Sequence, residues 1–89
     1  MSLINDEQTI HLIGVLMATS RIIVQYRDGS KAAGSTVVLE FAIGQTDAVY
    51  TDQRGEAIIQ HAPTGRCYVY VDGRRKTSFV APGTCPITI

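Results

Sequence analysis

The side chains of this sequence with reactive or ligand-binding potential are two cysteines, two histidines, a group of acids and a tyrosine–arginine stretch. Cys67 and Cys85 admit two readings. Joined as a disulfide, they would close the segment between them and contribute ~3 kcal/mol, a useful clamp in so small a domain. Left apart, they are buried thiols acting as small hydrophobes. Neither belongs to a Cys-x-x-Cys pair or sits among clustered histidines, so zinc is not indicated. Neither has a neighbouring base in sequence that would make it a nucleophile. His11 and His61 lie far apart and without metal-like spacing, which favours structural roles. Asp47, Asp52 and Glu56 bunch around one loop and offer oxygen atoms. They lack the alternate-residue ligands of a calcium loop, and turn capping suits them better. No Ser-His-Asp elbow, phosphate loop or dinucleotide fingerprint is present.

The remaining candidate is a surface. Arg66, Arg74, Arg75 and Lys76 gather against one acid, Asp72, with Tyr68 and Tyr70 between them. Strand alternation turns the two tyrosines away from the row Cys67, Val69, Val71. Tyrosines beside arginines stack on bases or sugars, or anchor a protein contact. The plainer reading is a sheet face covered by the N-terminal strand, next to a solvated hairpin tip.

Strands must position all of these groups, because the apolar residues recur at a spacing of two. Residues 20–26 place Ile22, Val24 and Tyr26 on one face. Residues 35–43 place Val37, Leu39, Phe41 and Ile43 on one face and Thr36, Val38, Glu40 and Ala42 on the other, the pattern of a half-buried sheet. Further short strands are expected at 48–51, 56–60, 67–71, 76–80 and 84–89. Asp28-Gly29, residues 51–55, Pro63-Thr64-Gly65, Asp72-Gly73 and Pro82-Gly83 separate them as turns. Only residues 5–18 leave helix and strand both open: Asp6 offers a cap, while Thr9, Ile10, Ile13, Gly14 and Val15 oppose a helix. Several short strands at near-regular spacing predict a sandwich or barrel.

The totals agree. Eighty-nine residues make one domain. Hydrophobic residues at 45% argue against disorder, and a formal net charge of zero neither demands a polyanionic partner nor opposes association between chains. The opening residues carry Asp6 and Glu7 with no base, unlike a secretory signal, and the apolar run 10–18 is too short to span a bilayer.

A family rhythm runs from about Ile22 to Ile89. It includes Val24-Gln25-Tyr26-Arg27-Asp28-Gly29-Ser30, Ala33-Gly34-Ser35-Thr36-Val37-Val38-Leu39, Tyr50-Thr51-Asp52-Gln53-Arg54-Gly55-Glu56-Ala57 and Ala62-Pro63-Thr64-Gly65-Arg66-Cys67-Tyr68-Val69-Tyr70-Val71. These motifs resemble the carboxypeptidase regulatory-like and collagen-adhesin B-type superfamily, with its transthyretin-like sandwich of seven strands. Cys67 departs from the pattern, standing where the family usually has a core tyrosine. The resemblance implies two activities that the residues do not support. Isopeptide-forming members join an early lysine to an asparagine on the last strand, yet the only asparagine here is Asn5. The transthyretin-like hydrolases end in Tyr-Arg-Gly-Ser, whereas this chain ends Pro86-Ile87-Thr88-Ile89.

The expectations are therefore an all-β, Ig-like or transthyretin-like sandwich of about seven strands, with residues 1–8 a tail and 9–89 one domain. The chain is expected to be a non-enzymatic structural or protein-interaction module without cofactor or metal. Its partner would be another protein or a second copy, aided by the short apolar end 84–89. The setting leans to the cell surface, the extracellular space or a virion. A nucleic-acid- or glycan-binding domain using Arg66, Tyr68, Tyr70, Arg74, Arg75 and Lys76 is the alternative, and a small hydrolase built from loops is a third class.

Overall fold

Side-chain alternation organises the molecule. The computed structural model describes residues 17–89, so the expectations for His11, for residues 5–16 and for the boundary at residue 9 lie outside the described part. Eight strands occur in the order β1 Ala18–Gln25, β2 Thr36–Phe41, β3 Gly44–Gln45, β4 Val49–Tyr50, β5 Glu56–His61, β6 Gly65–Val71, β7 Arg74–Ala81 and β8 Thr84–Thr88. They form two sheets, one ordered β5-β1-β8 and the other β3-β2-β6-β7 with β4 also beside β2. The fold is an all-β sandwich, and its two dipeptide strands account for the count of eight.

Buried residues recur at every second position of β1, β2, β5, β6 and β8. Ile22 and Val24 on β1, Val37 and Leu39 on β2, and Val69 and Val71 on β6 are all buried, and Ile59 and Ile87 join them from β5 and β8. The exposed residues between them are mostly polar, so each sheet has one apolar face to bury, and packing the two faces together makes the core.

Turn chemistry sets the register. Asp72 and Gly73 both take positive φ, 51° and 82°, as a two-residue hairpin between right-twisted strands requires. Asp52 accepts hydrogen bonds from the Arg54 and Glu56 amides, at 2.8 and 3.0 Å, and so holds the turn into β5. Gly55 has φ +74°, and a Cβ there would collide with the Val24 carbonyl, so glycine is required by both backbone and space. Thr51 is buried and ties two loops, donating to the Ala32 carbonyl and accepting from the Ser35 amide.

Three sequence expectations change. Strand β2 ends at Phe41, and Ile43, expected on the core face, sits in the β2–β3 turn and is 84% exposed. A chain reversing through Ala42 and Ile43 cannot keep the alternation of the strand before it. Tyr26 lies past the end of β1 and is exposed, for the same reason. The third concerns β8. It pairs with β1 in parallel, and the Ile89 amide donates to the Gln25 carbonyl. By the period of two, Cys85 and Ile87 also turn their amides toward β1, which places Pro86 where an amide would point to the open side. The apolar end offered for edge-to-edge pairing thus lacks a donor at the middle of its free edge.

Candidate binding face and a buried serine–histidine pair

The outer face of the larger sheet collects the tyrosine–arginine stretch. Cross-strand pairing sets Val38 opposite Tyr70 and Glu40 opposite Tyr68, and then Tyr68 opposite Ser78 and Arg66 opposite Val80. A bulge interrupts β7, so that Val69 faces Thr77 while Tyr70 faces Arg75 and Lys76 is left over. One extra residue in a strand moves its neighbours beyond that point to the other face. It brings Arg75 onto the tyrosine side, where its guanidinium carbon lies 4.2 Å from the Tyr68 ring centre and 6.0 Å from that of Tyr70. Tyr70 also donates to a Glu40 carboxylate oxygen at 3.2 Å, and Arg66 donates to the Ser78 hydroxyl at 3.2 Å.

The result is an open face of stacked and hydrogen-bonded groups. Of the six expected residues, Arg66, Tyr68, Tyr70 and Arg75 come together. Arg74 and Lys76 are exposed near the hairpin end, with no hydrogen bond or ion pair to the cluster. Tyr50, Tyr68 and Val80 leave substantial apolar surface exposed on the same sheet. Glu40, which is not among the six, supplies an acid at the centre.

A second constellation is not visible in the sequence. Ser20 on β1 and His61 at the end of β5 are both buried, and the Ser20 Oγ lies 2.7 Å from His61 Nε2. His61 Nδ1 donates to the Pro63 carbonyl at 2.7 Å, which leaves Nε2 to accept from Ser20, and the Gly83 amide donates to the Ser20 oxygen at 3.3 Å. This tautomer and spacing match a nucleophile–base pair. Access is small: Ser20 is 1% exposed and His61, which borders a cleft beside Phe41 and Pro63, is 2% exposed. The pair reads as a polar cross-tie among β1, β5 and the turn before β8. Its elements explain why a histidine tolerates the core, since both ring nitrogens are satisfied.

Cys67 and Cys85 are free buried thiols on opposite sheets. Burial holds both above the usual thiol range, and the neighbouring Cys85 raises Cys67 further. Such thiols are protonated at neutral pH and slow to react. Asp52 and Glu56 serve as a turn cap and as the partner of Arg21, whose guanidinium meets the Glu56 carboxylate in two hydrogen bonds of 2.8 and 2.9 Å. Asp47 is exposed. Among the described residues no group of three or more His, Cys, Asp or Glu is placed to hold a metal ion, and no helix is long and apolar enough to cross a membrane.

No family model matches the chain, and no curated protein matches it. Among solved structures it is similar to BcpA, the major pilin subunit of Bacillus cereus, with a TM-score of 0.60 and 13% identity over 82% of this chain. The chain spans 28% of that pilin. At this identity the likeness is one of fold, and it places the molecule beside a β-sandwich of a pilin.

Proposed function

We propose that the chain is a non-catalytic structural or interaction module whose outer tyrosine–arginine face makes a protein contact, with a second copy as the first partner to test. The observation that carries the reading is the stack of Arg75 on Tyr68, on the same sheet as the exposed Tyr50 and Val80. Aromatic and arginine side chains held in place lose little freedom on association, which is why they anchor protein interfaces. The motif resemblance to the carboxypeptidase regulatory-like and collagen-adhesin B-type superfamily supports a presenting scaffold. The likeness to a pilin subunit supports a surface or assembled setting.

The nucleic-acid or glycan reading draws on the same residues but fits them less well. Arg75 already covers one face of the Tyr68 ring, and Glu40 adds a negative charge where a phosphate would lie. Light scattering over a concentration series tests the preferred reading. The parent chain is expected to run as a dimer or larger, and Tyr68→Asp combined with Val80→Asp is expected to leave a folded monomer. A parent that stays monomeric at millimolar concentration overturns self-association. Oligonucleotide binding abolished by Arg75→Glu would favour the other reading.

A further inference from the structure

We propose that Cys67 and Cys85 join as a disulfide between the two sheets, tethering the edge strand β8 to β6 in the interior of the other sheet. Strand order places Cys67 on β6, between β2 and β7, and Cys85 on β8, beside β1 alone. Both are buried members of one core. They also stand at the same end of the sandwich. Cys67 lies opposite Phe79 on β7. The Phe79 ring in turn reaches the β7–β8 turn, 3.8 Å from where a Cβ on Gly83 would stand, and Gly83 comes two residues before Cys85. Electrostatics agrees with this nearness, since Cys85 raises the Cys67 thiol beyond the effect of burial. Sandwich folds accept a bridge between inward-facing cysteines of facing strands.

The two strands differ in how they are held, and the bond would even them. β6 is paired on both sides, with β2 and with β7. β8 has five residues, pairs with β1 only and gives the core Cys85 and Ile87. The oxidant is a small-molecule disulfide of the glutathione type. A Cys85 thiolate, uncovered when β8 opens or before the sheets close in folding, attacks one sulfur of the oxidant and releases one small thiol. The Cys67 thiolate then attacks the Cys85 sulfur of the mixed disulfide, forms the Sγ–Sγ bond and releases the second. The two cysteines give up two electrons and two protons, and the oxidant leaves as two thiols.

This inference does not depend on the proposed function. The full chain is reduced, unfolded in urea and refolded with oxidised glutathione, then alkylated in denaturant and weighed by mass spectrometry. Refolding in the oxidant gives both thiols access to it. Both cysteines are expected to escape alkylation, with no glutathione retained and one peptide pair joining Cys67 to Cys85 within a chain. The unfolding equilibrium constant is expected to fall about 100-fold on oxidation, and reductant should restore it. Exchange of the Cys85 and Ile87 amides is expected to slow about 10-fold. Cys67→Ala is expected to retain glutathione on Cys85 and to gain no stability. In the parent, thiols that stay open to alkylation, retained glutathione or a bond between two chains overturns the proposal. So does an oxidised chain no more stable than the reduced one, because the bridge would then not fit the native sandwich.

Discussion

Two polar clusters of this molecule hold similar chemistry and opposite access. Ser20, His61 and the Pro63 carbonyl form a buried hydrogen-bonded chain at one pole of the sandwich, while Arg75 stacked on Tyr68 and Tyr70 bonded to Glu40 form a cluster on an open sheet face. The buried chain has the better catalytic geometry and almost no exposed surface. The open one has no catalytic geometry, yet everything about it is available to a partner. The difference teaches that reactive-looking spacing is evidence of function only where solvent can enter. In a dry site the same bonds are explained by the cost of leaving polar groups unpaired.

The comparison breaks most readily at His61. Replacing it with alanine removes a buried ring and strands the Ser20 hydroxyl, and should cost ~3 kcal/mol of stability by urea unfolding, while the oligomeric state of the folded fraction stays as in the parent. A variant that unfolds no more easily would mean that the pair is not a structural tie. On the open face the expected cost is smaller. Arg75→Ala should lose ~0.5–1 kcal/mol, the worth of an exposed cation–π contact, and should weaken association while leaving the core intact. A loss of several kcal/mol would show that this face is structural too.

The smallest expected effect is acidic. Neighbouring hydrogen bonds lower Asp28, through Ser30, and Asp52, through the Glu56 and Arg54 amides, below the ordinary 3.8. Arg21 lowers Glu56 below 4.5. Depressed carboxyls stabilise the fold above their unfolded values, and that contribution disappears as pH falls through the lower folded ones. Melting temperature should therefore hold steady from neutral pH to about 5 and decline below 4. A decline that began above pH 6 would point elsewhere.

The sheet faces were legible because alternation is local: Val37, Leu39 and Phe41, or Cys67, Val69 and Val71, announce a dry side within a few residues. The turn pairs Asp28-Gly29 and Asp72-Gly73 were legible for the same reason. The hidden features depend on distance or on a single skipped residue. Ser20 and His61 stand 41 positions apart, and only the antiparallel register of β1 and β5 makes them neighbours. Nothing in Arg74-Arg75-Lys76 says which residue the bulge leaves out, so the three look equivalent in sequence where the structure stacks one. Ile43 misleads because an apolar residue continues the strand pattern into a turn that has already begun. Parallel pairing of β1 with β8 also leaves no local mark, since neither strand differs in composition from one paired the other way.

That parallel pairing has a mechanical consequence. β1 and β8 lie side by side and run in one direction, from Arg21 opposite Thr84 to Gln25 opposite Thr88. Tension between the two ends of the domain would drag β1 toward its beginning and β8 toward its end. The load would fall on their hydrogen bonds in shear, all at once, rather than peeling them apart singly from one end.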